Sequence, residues 1–332
     1  MDRLRLVSVC LLTLPPAGVG RSDEPAARPQ PATAGSSGLL RVAPLALDEF
    51  TEIVPLGNLN PPGHTFPTDH VYFYLVEPKK THVVYAPAAG TVDWVLETGR
   101  NDDKVVVRVT PTFRYYLGHV ALAPGIRRGA RVVESQRLGT FSGQAYALDL
   151  GVVNDAVTLH GFVNPRRYPA DTLHADSPLK HFREPLRASL YARVRRAGSD
   201  KDGRIDFDEP GRLVGNWFLD GLGERDSCQP GAWDQHLAFV RDVRDPAAVR
   251  IAIGGTLARA GVFAAPRDAP DPAQVSRRTG KVTYRLLDVR DGTPCGWLLA
   301  ELVEADCVRV EVVPGSPRGT PEFSDRARRY RR

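Results

Sequence analysis

From Leu39 to about Pro165 the chain alternates apolar and polar residues in short runs rich in Val, Tyr and Phe, cut at regular intervals by Gly and Pro. Val71-Tyr72-Phe73-Tyr74-Leu75, His82-Val83-Val84-Tyr85, Thr91-Val92-Asp93-Trp94-Val95, Val105-Val106-Val107-Arg108-Val109 and Ala147-Leu148-Asp149-Leu150-Gly151-Val152 are such runs. Runs of this kind, bounded by turn residues, predict strands, and their regular succession predicts a β-sandwich or barrel. Near Ser177 the apolar spacing changes to three and four, with Leu179, Phe182, Leu186, Leu190 and Val194 on one face. That spacing predicts a helical stretch to about Arg195, opened by Ser177 at the cap and Pro178 at the first helical position. Pro185 within it predicts a kink or two short helices. Strand patterns then return, as in Arg212-Leu213-Val214-Gly215-Asn216-Trp217-Phe218 and in the run from Gly280 to Leu287. The fold class expected is mainly β: a β domain over 39–170, a helical connector over 171–198, a second β-rich domain over 199–315 and a basic tail over 316–332.

The length of 332 residues and 42% hydrophobic content fit two globular units with real cores and exclude a disordered or collagen-like chain. Basic residues number 44 against 39 acidic ones, a surplus of five. The one dense basic block is Arg326, Arg328, Arg329, Arg331 and Arg332, at an end expected to fray. A nucleic-acid protein concentrates charge on a folded face, so no nucleic-acid partner is expected. At the other end, Asp2-Arg3-Leu4-Arg5, the apolar run from Leu6 to Leu14 and the small residues up to Gly20 form the pattern of a secretory signal over 1–20. The apolar run is far below the ~20 residues of a membrane span. Acylation at Cys10 is the alternative, weakened by Val9 before it. Residues 21–38, rich in Pro, Ala, Ser and Gly, read as a flexible linker. The expected location is secreted or periplasmic, where Cys228, Cys295 and Cys307 allow one disulfide of unspecified pairing and leave one thiol over.

Three segments carry a resemblance. Val83-Val84-Tyr85-Ala86-Pro87-Ala88-Ala89-Gly90-Thr91-Val92 is similar to a V-x-A-P-x-x-G-x-V hairpin. The stretch from Gly129 to Gly143 is similar to G-x-x-V-x-x-G-Q-x-I-G-x-x-G-x-x-G, and Val163-Asn164-Pro165-Arg166-Arg167-Tyr168 to V-x-P-x-x-Y. In that order they resemble the lysostaphin-type murein endopeptidases, whose β domain is known as the duplicated hybrid motif. The resemblance implies a groove for cell-wall peptide and, in active members, one zinc held by an early His and Asp and by the second His of a late H-x-H. It further implies a His after a strand that assists the bound water. Three protein ligands and one open position let zinc lower the pKa of a replaceable water.

Carried over position by position, the early pair is His64 and Asp69, five residues apart with a proline between, followed by His70. His119 stands at the place of the assisting His. The late pair reads Ala147-Leu148-Asp149, so alanine replaces the first His and Asp149 the second. A zinc site here would use His64, Asp69 and Asp149, with His119 as the proton-transfer group. Such a set is more anionic than two imidazoles and one carboxylate, and suits zinc less well. The bland reading of His64, Asp69 and His70 is a loop braced by its own hydrogen bonds.

A second acidic stretch, Gly198 to Glu209, places Asp200, Asp202, Gly203 and Glu209 on positions three, five, six and twelve of an EF-hand loop, with glycine at position one. It reads as an acidic turn before a strand, with a calcium site as the alternative. Neither Ser142 nor the pair Gly254-Gly255 completes a nucleophile elbow or phosphate loop. Trp94, Trp217, Trp233 and Trp297 read as core, with sugar stacking as the alternative. The favoured functional expectation is a non-catalytic protein binding cell-wall glycopeptide or an envelope partner. The competing ones are a zinc endopeptidase and a calcium-stiffened interaction module.

Overall fold

The computed structural model describes residues 38–315 and 319–332. The signal segment, Cys10 and nearly all of the expected linker fall outside the described residues. The architecture is mainly β, with two β-rich sheets, one of them a closed barrel, joined by a short helical stretch.

The first sheet has ten strands: β1 (Phe50–Val54), β2 (His70–Leu75), β3 (Val83–Tyr85), β4 (Gly90–Leu96), β5 (Asp103–Thr110), β6 (Phe113–Leu122), β7 (Arg131–Val132), β8 (Arg137–Phe141), β9 (Ala147–Asn154) and β10 (Ala175–Asp176). Its main path runs β1-β2-β9-β6-β5-β4-β7, with every pair antiparallel. Strand β9 is central and buried along its whole length. Leu148, Leu150 and Val152 join Phe73, Val105, Val107, Tyr115 and Leu117 in the core. The alternate residues Ala147, Asp149 and Gly151 belong to the opposite face, because side chains alternate along a strand. Gly151 must be glycine: a Cβ there would lie 2.1 Å from the Tyr116 ring, which crosses over it.

The helical stretch is two short pieces, a 3-10 turn at Pro178–His181 and a helix α2 (Leu186–Tyr191) after α1 (Ala170–Leu173). Of the two outcomes Pro185 allowed, the split is the one seen: it sits at the cap of α2. Ser177 caps the 3-10 turn by position, without a side-chain hydrogen bond.

Strands β11 (Gly215–Leu219), β12 (His236–Arg241), β13 (Val249–Ile253), β14 (Gly261–Ala264), β15 (Val282–Asp288), β16 (Pro294–Glu304), β17 (Cys307–Val313) and β18 (Arg328–Arg331) close the barrel. Trp217, Phe239, Tyr284 and Tyr330 fill its centre with Leu, Ile and Val. The basic tail expected over 316–332 is corrected here. Arg328, Arg329 and Arg331 lie with Tyr330 in β18, which pairs with both β17 and β11 and seals the barrel. Tyr330 points inward while Arg331 pairs outside with Asp220 and Glu304, so an alternating strand lies within what reads as a charge run. Cys228, Cys295 and Cys307 are all unbridged thiols.

The two sheets meet through an aromatic cluster. Phe66 stacks on His236 at 4.1 Å between centroids and 7° between planes, and meets Phe218 edge-on at 5.0 Å. Arg244 forks onto Glu52 at 2.5 and 3.1 Å. His236 lies 2.6 Å by Nε2 from the carbonyl of Ser227, so Nε2 carries the proton and the ring is neutral. Burial pushes its pKa down to about 4. An unfolded His titrates near 6.5. Between those values the unfolded chain takes up a proton that the folded chain refuses, so this contribution is full above about pH 6.5 and is lost as pH falls to about 4, roughly 3 kcal/mol in all. Denaturant titrations from pH 7.5 to 4.5 are expected to show wild type losing stability faster than His236→Gln. Parallel curves would refute this role.

Candidate functional site

The groove is built on β2, β6 and β9 and roofed by the 58–64 loop. That loop is closed by reciprocal backbone bonds between Asn60 and His64, at 2.8 and 3.0 Å. From the barrel side, Thr65 Oγ1 reaches the carbonyl of Trp233 at 3.4 Å, which fixes the loop that carries His64. The cleft has a volume of about 720 Å3, with Tyr72, Tyr74, Tyr146, His64, His119 and Asp149 among its walls.

His119 owes its position to a β-bulge. The β5–β6 register slips between Asp103 and Val105, and His119 takes a φ of +62°. Bulges re-aim side chains next to sites. Here the ring turns so that Nδ1 lies 2.9 Å from Asp102 Oδ1 and Nε2 3.5 Å from Asp149 Oδ2. Ser142 donates its hydroxyl to the same Asp102 oxygen at 2.5 Å. Gly118 beside it leaves room for Asp149, whose Oδ2 would be 3.1 Å from a Cβ at that position.

His70, the first residue of β2, has a parallel arrangement. Its Nδ1 lies 3.1 Å from Asp69 Oδ1 and its Nε2 3.4 Å from Asp149 Oδ2. Asp69 also accepts from the Tyr116 hydroxyl at 2.6 Å and from Thr172 at 3.3 Å. Burial opposes ionisation of Asp69, but the hydrogen bond and charge of His70, with Lys104 and Tyr116, outweigh it and hold the carboxyl well below its usual range. An ionised carboxylate only accepts, so Nδ1 of His70 carries the proton. Burial also opposes the charged form of His70, and Asp149 and Asp69 outweigh it, so its pKa is raised. His64 stands with its ring 5.4 Å from that of His70. Burial, aided by the charge of His70, pushes its pKa down to about 4.

The set expected from the sequence is therefore not the one assembled. Asp69 lies behind His70, bonded to the opposite edge of its ring from Asp149, and its oxygens are taken by Tyr116, His70 and Thr172. His70 and His119 are the residues that converge on Asp149. Neither 3.4 nor 3.5 Å is a good hydrogen bond, and Asp149 Oδ1 and His70 Nε2 are buried without hydrogen-bond partners. Among the described residues no group of three or more His, Cys, Asp or Glu side chains is arranged to hold a metal ion. The residues present do not fit a zinc held by His64, Asp69 and Asp149.

The acidic loop is occupied by partners of its own. Asp200 pairs with Arg196 at 3.2 Å, and Asp202 accepts from the Tyr191 hydroxyl at 2.7 Å. Glu209 contributes its backbone carbonyl, to Arg332 at 2.9 Å. The carboxylates of Asp200, Asp202 and Glu209 thus do not form a calcium cage. The loop works as a strap: Gly203 abuts Leu56, Asp206 accepts from the Gly161 amide, and Asp208 accepts from Val163 and Asn216.

Sequence reasoning missed Asp102, Tyr116 and Tyr146. Asp102 is a turn residue before β5, and only the bulge brings it to His119. Tyr116 and Tyr146 look like ordinary strand and loop aromatics, yet Tyr116 is buried against Asp69 while Tyr146 is 77% exposed on the rim of the cleft.

No protein-family model and no curated protein matches the chain. Among solved structures, Csd3 of Helicobacter pylori is 19% identical, with a TM-score of 0.29 over 36% of this chain and 32% of that one. A zinc-containing peptidase from Vibrio cholerae is 15% identical, with a TM-score of 0.29 over 36% and 38%. The SpoIIQ–SpoIIIAH pore-forming complex is 12% identical, with a TM-score of 0.32 over 46% of this chain and 96% of that one. The matched stretch spans about a third of the Csd3 and Vibrio chains, and likenesses this distant carry no argument about what the chain does.

Proposed function

We propose that the chain is a non-catalytic cell-envelope protein whose groove binds cell-wall glycopeptide. The observation that carries this reading is the locking of His70 and His119. Each commits Nδ1 to a carboxylate and turns Nε2 toward the single carboxylate of Asp149, while a cleft of about 720 Å3 stays open beside them. Ala147, where the resembled family has a histidine, packs with Val54 and Tyr72 and offers no proton. A ligand-sized cleft lined by tyrosines keeps the means to bind after the means to activate water is gone. The signal-like N-terminus supports the envelope location.

The test is co-sedimentation of the purified protein with purified cell-wall sacculi, run beside zinc analysis and an assay for newly released amines. Binding without amine release is expected, at no more than trace zinc after incubation with excess Zn²⁺. Zinc-dependent amine release would overturn the reading in favour of the endopeptidase. Tyr146→Ala is expected to weaken sacculus binding about tenfold, the scale of an aromatic anchor. Its melting temperature should not change, because the ring packs on little; retained binding would remove Tyr146 from the contact surface.

A further inference from the structure

Where the first sheet meets the barrel, a second cavity of about 200 Å3 lies apart from the groove and has only Gly63 and His64 in common with its walls. Phe66, Phe162, Tyr168 and Trp233 give it aromatic walls on both sides of the junction. Apolar pockets with a few placed polar groups gather at such junctions.

The polar atoms on its walls point to what would fill it. Asn216 is 1% exposed and lines the cavity, yet its Oδ1 has no hydrogen-bond partner. It lies on β11 beside Trp217, which fills the barrel centre, so strand alternation turns Asn216 outward to the junction. The Tyr168 hydroxyl is also buried without a partner, and although Asn216 acts on it, no hydrogen bond closes between the two. His236 gives its Nε2 proton to the Ser227 carbonyl, which leaves Nδ1 an acceptor without a partner among the described residues. Buried polar atoms are nearly always paired, so an orphaned acceptor on a cavity wall marks a missing donor.

No charge on the walls is left unanswered. His64 and His236 are neutral at pH 7, because burial pushes both pKa values down to about 4. Asp69 is held by His70, Tyr116 and Thr172. Arg167, whose charge reaches Cys228, is not part of the wall: it lies over the Phe218 ring and donates to the Leu222 carbonyl. A charged occupant would leave water without a counter-charge, which is costly. An apolar cavity of about 150 Å3 takes one benzene ring, so this one has room for a substituted ring or a fused pair.

We infer that the junction cavity is a second binding site, for an uncharged one- or two-ring aromatic molecule whose N–H or O–H donates to Asn216 Oδ1. The site is independent of the glycopeptide reading and uses walls that the groove lacks. Its occupant touches both sheets, so it binds the assembled junction and raises the melting temperature.

The probes are indole and benzofuran, which share a shape and differ in the N–H. Calorimetric titration into the full chain is expected to show indole binding about tenfold more tightly than benzofuran, the scale of one hydrogen bond to a buried acceptor. Asn216→Leu exchanges the acceptor for an apolar side chain of the same branching, so it should bind the two probes alike. Cys228 lines the cavity, whereas Cys295 is exposed outside it. At about ten times its Kd, indole should slow N-ethylmaleimide labelling of Cys228 about tenfold and leave Cys295 unchanged, as read by mass spectrometry of the two peptides. That measurement uses wild type alone and stands even where Asn216→Leu fails to fold. Equal affinity of wild type for the two probes, or a preference for indole that survives Asn216→Leu, would overturn the proposal. So would Cys228 labelling that millimolar indole does not slow, which would mean that the cavity holds water only. Neither result depends on sacculus binding.

Discussion

Arg332→Ala is expected to lower stability by about 3–5 kcal/mol, the range for breaking a buried charge arrangement from one side. At this chain length that is a fall in Tm of roughly 4–7 °C. The Arg332 side chain is 1% exposed, and its guanidinium lies 3.9 Å from the Trp217 ring centroid. It donates to the carbonyls of Glu209, Arg212 and Asn216 at 2.9, 3.0 and 3.2 Å, and to those of Leu213 and Val214. Its counter-charge, Asp208 at 4.0 Å, is also 1% exposed and is held by the amides of Val163 and Asn216. Removing the guanidinium would take a donor from five carbonyls, of which Leu213 keeps the Trp217 indole N–H and Glu209 the Arg212 amide, and would leave the buried Asp208 carboxylate without its counter-charge where the strap joins the two sheets. Arg332→Lys should recover less than half of the loss, because an ammonium has three donors and cannot span the same set of carbonyls. Thermal unfolding of the three proteins decides it. A fall below 3 °C for Arg332→Ala would mean that water replaces the lost donors and that the lock is dispensable.

That arginine also marks where the sequence stops being legible. The strands of the first sheet are plain in the text of the chain because Val105-Val106-Val107 and Leu148, Leu150 and Val152 report burial directly. The closing strand of the barrel is not, because its outward arginines and its one inward Tyr330 look like a charge run whose period is carried by a single residue. The candidate site divides the same way. The positions of His64, His119 and Asp149 at one cleft follow from the motif order, and Ala147 is visible by its departure from the family pattern. What no local pattern reports is the exchange of roles between Asp69 and His70. Which of two adjacent residues faces Asp149 depends on strand parity at the start of β2, and that parity is set by the pairing of His70 with Gly151 on β9. The bulge at His119 is equally silent, since histidine, though enriched over other side chains at positive φ, is still rare there and does not announce it as a glycine would.

The exchange of roles carries the second large effect. His70→Ala is expected to destabilise the protein by about 3–5 kcal/mol, because it leaves the buried Asp149 and the partly buried Asp69 without the imidazole that faces both. The sign of its pH dependence follows from the raised pKa of His70. Its stabilisation is full below the unfolded value near 6.5 and is lost as pH rises through the folded value. The gap between wild type and variant should therefore be widest in mild acid and narrow on the alkaline side. Asp149→Asn removes the charge that His70 answers, so the double variant His70→Ala/Asp149→Asn should be more stable than the sum of the two single losses by at least about 1.5 kcal/mol, as for residues in one charge network. Denaturant unfolding at pH 6 and pH 9 measures both quantities. Additive losses and a gap that does not change with pH would show that the imidazole only fills space. Coupled losses with a gap that closes toward pH 9 would show that His70 supplies, from within the chain, the positive charge facing Asp149.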